Sequence, residues 1–144
     1  MAEDTNTPAA FVIVAGFGIP GREVVNLLIA RHTPFVVVEL NRATVSRCHV
    51  GGLNIVQGDI ANEDVLRQAG IDRATLVALA IPDDAAVLRA IDLIRRLNPA
   101  VQILARCRRV STALEASRRG AHEVVSEEQL IGAEFARLTV PLIS

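Results

Sequence analysis

The sequence predicts an α/β fold built on a doubly wound parallel sheet of six strands, and three observations predict it. Short apolar runs rich in β-branched residues alternate with segments whose apolar residues recur at helical spacing. The first run, Phe11-Val-Ile-Val-Ala15, stops at Gly16-x-Gly18-x-x-Gly21, and Val24, Val25, Leu27, Leu28 and Ile29 then repeat as on a helix. The next run, Phe35-Val-Val-Val-Glu39, ends in an acid about eighteen residues past the last glycine. Strand, glycine turn, helix, second strand and acid in register are the context a G-x-G-x-x-G match needs. Right-handed crossovers arrange such strands most simply in the Rossmann-like order 3-2-1-4-5-6.

The remaining elements follow in order. Asn41 to Cys48 reads as a second helix with Asn41 as its cap, ended by Gly51-Gly52. Leu53 to Gly58 is the third strand, and Asn62 caps a helix from Glu63 to Ala69 that Gly70 closes. Thr75 to Ala80 is the fourth strand, with Pro82-Asp83-Asp84 as a turn beyond it. Ala85 to Leu97 is a long amphipathic helix stopped by Asn98-Pro99. Val101 to Ala105 is the fifth strand, Ser111 caps a helix to Arg119, and Glu123 to Val125 is a short sixth strand. Ser126 opens a last helix with Glu127, Glu128 and Gln129 in its first turn, a favourable placement against the helix dipole.

Composition bounds the function. A chain of 144 residues, half of them hydrophobic, suffices for one domain with a proper core, read here as residues 11–144. Met1 to Ala10 are small and polar, without the basic and apolar regions of a signal peptide, and read as a disordered tail. No apolar run approaches the roughly eighteen residues of a membrane span, so direct membrane insertion is not expected. A net charge of −1 without interleaved aromatic and basic residues argues against a nucleic-acid partner. Cys48 and Cys107 fit neither a metal spacing nor a disulfide framework, and a reducing cytoplasm is the simplest setting.

The candidate site is an adenine-nucleotide site at the carboxyl ends of the strands. Gly16 permits the tight turn, Gly18 lets a pyrophosphate approach the backbone, and Gly21 lets helix and strand pack closely. Ile19 and Pro20 open the helix whose free N–H groups and dipole face the phosphates, although Pro20 has no N–H and so removes one donor. Glu39 can accept hydrogen bonds from both ribose hydroxyls, with Leu40 and Asn41 beside it. Arg42 either clamps a phosphate or adenine or is a solvated helix-start arginine. Asp59 and Ile60 follow the third strand, Ala80 and Ile81 the fourth, and Arg106 the fifth, where ligands of open α/β sheets bind. Asp83 and Asp84 read as turn acids, and His32, His49 and His122 as surface residues without an acid or nucleophile partner.

These residues also carry a resemblance. Gly16-x-Gly-x-x-Gly21, Glu39, Gly58-Asp59, Ala69-Gly-Ile71, Ala80-Ile-Pro-Asp-Asp84, Leu97-Asn-Pro99, Ala105-Arg106 and Gly120-Ala-x-Glu-Val-Val-Ser126 occur in the order of the RCK N-terminal, or TrkA-N, domain. The likeness covers about Phe11 to Val140, nearest to the potassium/proton antiporter branch. It implies a cytoplasmic regulatory domain at the inner membrane face that binds NAD(H) or AMP, ADP or ATP. Its implied partners are a second copy, possibly in a larger ring, and a membrane-embedded cation transporter or channel. It also implies that Asp59 lies near the adenine, that Arg106 reaches the phosphates, and that the last helix crosses to the partner. The long fourth helix is expected to share that pairing surface. Calcium-gated members carry acids after the strand-five arginine; Cys107, Arg108 and Arg109 stand here instead, so no metal site is expected. The alternative is a small NAD-dependent oxidoreductase, which the same fingerprint would serve. That chemistry needs an acid or base beside the reacting end of the cofactor, and the chain has neither Tyr nor Lys to form a Tyr-Lys pair.

Overall fold

The structure, a computed structural model, describes residues 9–144. The predicted tail over residues 1–10 therefore lies outside the described residues except for Ala9 and Ala10, which are exposed. Strands β1 (Val12–Ala15), β2 (Phe35–Glu39) and β3 (Ile55–Gln57) alternate with helices α1 (Ile19–Ala30), α2 (Arg42–Val50) and α3 (Glu63–Ala69). Then come β4 (Leu76–Leu79), α4 (Asp84–Leu97), β5 (Gln102–Cys107), α5 (Val110–Arg118), β6 (Glu123–Ser126) and α6 (Glu127–Ile143). All strand pairs are parallel, and the order is β3-β2-β1-β4-β5-β6, as predicted.

Alternation along each strand divides the core between two faces. Val12, Val14 and Val37 meet Val25 and Leu28 of α1 and Val45 of α2 on one face. Ile13, Val36, Val77, Ile103 and Ala105 meet Leu66 of α3, Val87, Ile91 and Ile94 of α4 and Ala116 of α5 on the other. Such two-sided burial explains why β1 reads as a continuous apolar run.

Where the element ends differ from expectation, a long-range contact supplies the reason. Asp83 is the cap of α4, its carboxylate accepting the Ala86 N–H at 3.0 Å, rather than a turn acid. Helix α5 starts at Val110 with Arg109 in the cap position, so Ser111 lies inside the first turn. Asp84 fixes that earlier start by accepting the N–H groups of Arg108 and Arg109 at 2.8 and 3.3 Å. Burial pulls the Asp84 carboxyl upward, but those donors, the Thr112 side chain and the Arg108 charge together hold it below its ordinary range. Arg95 straps the end of α4 to the last strands, donating to the Gly120 and Val101 carbonyls and lying 3.1 Å from His122 Nδ1. His122 is thus an exposed structural neighbour, in line with its surface reading.

Helices α4 and α6 behave differently. The apolar face of α4 is spent on this chain's own core, with Val87, Ala90, Ile91 and Ile94 buried and Leu88 and Leu97 packed beside them. The apolar stripe of α4 is thus already covered by this chain's own core, unlike the uncovered surface expected of it. No residue of α6 is buried. Ile131, Phe135, Leu138 and Leu142 form a stripe at three- and four-residue steps, and Phe135 is 71% exposed. The helix runs through Val140, Pro141 and Leu142 to Ile143. Pro141 lacks the N–H that would close its turn.

Candidate functional site

The glycine turn is built as its residue types demand. Gly16 has φ +94, and a Cβ there would stand 3.0 Å from the Ala80 carbonyl oxygen. Gly21 is held closer still: its Cβ would fall 1.9 Å from the Gly16 carbonyl oxygen, so only glycine lets α1 approach β1. Gly18 differs from both. It has φ −81 and nothing within 4 Å of a Cβ position, so the space in front of it is open. It caps α1 without a side-chain hydrogen bond, and the first turn carries no acid. Pro20 follows with no N–H of its own. Among the described residues the leading N–H groups of a twelve-residue helix thus meet no capping side chain, which favours an anion there.

These groups face a cleft of about 890 Å³ across the carboxyl ends of the strands. Of the predicted residues, Gly16, Gly18, Ile19, Pro20, Glu39, Leu40, Asn41, Asp59, Ile60, Ala80, Ile81 and Arg106 all line it. Gly21 lies behind the turn in its packing role. Arg42 is exposed in the first turn of α2 and does not line the cleft. Sequence reasoning did not place Phe17, Val38, Gly58, Pro82, Asp83, Ala86 and Arg89 in the site. Asp83, Ala86 and Arg89 recur at three-residue steps on α4, a signal available once the helix is known to start at Asp84.

Three predicted side chains have structural work of their own. Glu39 accepts the Phe17 N–H at 2.8 Å through one oxygen and the Asn41 N–H at 3.2 Å through the other, tying the glycine turn to the end of β2. An ionised carboxylate has about four lone-pair sites, so two remain for hydroxyls. Asp59 accepts the Ala61 N–H at 2.8 Å and so shapes its own turn as well as lining the cleft. Arg106 donates Nη1 to the Ala80 carbonyl at 3.1 Å, and Nε and Nη2 to Glu127 Oε1 at 3.0 and 2.5 Å. That Ala80 oxygen is the one against which Gly16 is packed, so the guanidinium stands beside the glycine turn.

The two thiols sit in different surroundings. Cys107 is buried, and burial, aided by the Asp84 charge, pushes its thiol up to about 11. Cys48 is half-buried at the end of α2. Among the described residues no helix is long and apolar enough to cross a membrane.

Fold and cleft together define a Rossmann-like α/β domain with an open cleft at the carboxyl ends of its strands and an exposed last helix. Residues 12–127 match the TrkA-N domain family, and the chain belongs to it. It is 29% identical over 131 residues to the putative cation/proton antiporter YbaL of Escherichia coli K12, covering 91% of this chain and 23% of that protein. The chain thus spans less than a quarter of that relative's length. The crystal structure of the TrkA-N domain of the inner membrane protein YbaL superposes with a TM-score of 0.81 at 28% identity, over 97% of this chain and all of that one. The Kef CTD of Shewanella denitrificans in its AMP-bound form superposes with a TM-score of 0.75 at 25% identity, covering 90% of this chain and 80% of that one.

Proposed function

We propose that this chain is a regulatory domain that binds an adenine nucleotide, AMP, ADP, ATP or NAD(H), and controls a potassium or other monovalent-cation transporter from the cytoplasmic face of the membrane. The observation that carries this reading is the open, uncapped turn at Gly18, facing a cleft whose other edge carries Glu39. Phosphates fit the helix N-terminus, and the ribose hydroxyls fit the two free acceptor sites of Glu39. A relative crystallised with AMP on the same fold supports the ligand class. The cation transporter as partner is supported by the antiporter relative, in which a stretch like this one is a minor part of a longer chain.

The unit of regulation in this reading is a homodimer. Among the described residues nothing covers the α6 stripe, and a contiguous apolar surface of that kind is costly in water. A second copy offers the same stripe, giving a self-complementary, closed interface. Nucleotide binding then acts by favouring one relative orientation of the two domains, which requires different affinities for the two arrangements.

Calorimetric titration of the purified protein with AMP, ADP, NAD and NADP tests the ligand class. Adenine nucleotides should bind, and NADP should bind more weakly than NAD, because Glu39 repels a 2′-phosphate. Absence of binding by every adenine nucleotide would overturn the proposal.

A further inference from the structure

The Arg106 guanidinium stands beside the glycine turn, where a nucleotide phosphate would lie, yet its donors are already in use. Nε and Nη2 both point to Glu127 Oε1, and Nη1 to the Ala80 carbonyl. The ion pair is only partly exposed, the two side chains retaining 24% and 31% of their surface. Glu127 is the first residue of α6, the helix with no buried residue of its own. Few other contacts hold that helix start: the Glu128 N–H reaches the Arg108 carbonyl at 3.2 Å, and Ser126 caps the first turn. Glu127 has a second cation in reach, since Arg108 Nε lies 3.8 Å from its other oxygen on the solvent side.

We propose that Glu127 is a built-in competitor for phosphate: its carboxylate occupies Arg106 while the cleft lacks an anion, and an arriving phosphate displaces it and frees the first turn of α6. The inference rests on the nucleotide reading above and adds to it the means by which a bound phosphate reaches α6. Carboxylate and phosphate are interchangeable partners for a guanidinium fork, and each satisfies the same N–H donors. Exchange therefore leaves no buried donor unpaired. The displaced Glu127 turns to Arg108, so neither charge is stranded. A ligand without a phosphate cannot make the exchange. Linkage requires the reverse effect as well: whatever holds the α6 start in its displaced position strengthens phosphate binding by the same factor.

The test compares ADP with adenosine on wild-type protein, Glu127→Gln, Arg106→Ala and the double variant, each first checked for an unchanged melting transition. Glu127→Gln keeps the size of the side chain and removes the competing charge. It should tighten ADP binding by roughly tenfold, the scale of one charge-assisted hydrogen bond, and leave adenosine binding unchanged. The gain should vanish in the Arg106→Ala background. Hydrogen exchange at Glu127 to Leu130 of wild-type protein should quicken with ADP and not with adenosine. Unchanged or weaker ADP binding in Glu127→Gln, or equal tightening of adenosine, would overturn the competition while leaving the nucleotide site standing. Wild-type protein that binds neither ligand would overturn both.

Discussion

The two halves of the sheet are covered differently. From β1 to β3 both faces carry helices, and Val14 and Val37 are fully buried between them. From β4 to β6 only the α4–α5 face is closed. On the opposite face Ala78, Leu104, Arg106 and Val125 border an apolar hollow of about 250 Å³ with Pro20, Val24 and Leu130 at its rim. The first half thus builds a finished scaffold for the glycine turn. The second half, which carries Arg106 and leads into α6, is left with apolar surface that the described residues do not cover. The glycine turn and Glu39 sit on the more fully covered half, and the exposed stripe of α6 on the other.

Substitutions can break this contrast, the largest effect coming from the closed half. Gly21→Val drives a side chain into the Gly16 carbonyl, and overpacking on that scale should abolish the cooperative urea transition. Ile91→Ala empties a fully buried site under β4 and β5 and should cost about 2–5 kcal/mol in the same assay. Phe135→Asp lies on the uncovered stripe and should move monomer stability by no more than about 0.5 kcal/mol. Sedimentation should nonetheless show its dimer weakened at micromolar concentration. A monomer at every concentration in wild-type protein would contradict the role given to α6.

A smaller effect separates the halves by pH. The folded-state value of Asp84 lies below its ordinary 3.8, so its contribution is fully present above that value and is lost as the pH falls through the lower folded one. Asp84→Asn should melt earlier than wild type at neutral pH, and the gap should narrow as the pH drops below 3.8. Least perturbing of all is thiol labelling: a neutral-pH alkylating reagent should modify Cys48 first and spare Cys107 until unfolding, because the thiolate is the reactive form.

Element type and order were legible because they rest on local pattern. Three glycines, an acid at the next strand end and the switch between two-residue and helical spacing fixed the topology and most of the cleft. What was not legible depends on residues distant in the chain. The start of α5 is set by Asp84, about twenty-four residues earlier. Glu39 is engaged by Phe17 across the first β-α-β unit, and Arg106 is held by Glu127 from the start of the last helix. Sequence spacing places such side chains near the site but does not say which partner they have already taken. The α4 stripe shows the same limit, since amphipathicity reveals an apolar face without revealing whether the chain covers it itself.

The most direct test of the central claim is an adenine-nucleotide titration of Gly18→Val. Gly18 has an ordinary φ and open space before it, so valine should fold normally and fill the volume a phosphate needs. The account predicts a melting curve like that of wild type and loss of AMP and ADP binding. Wild-type nucleotide affinity in the folded variant would contradict it.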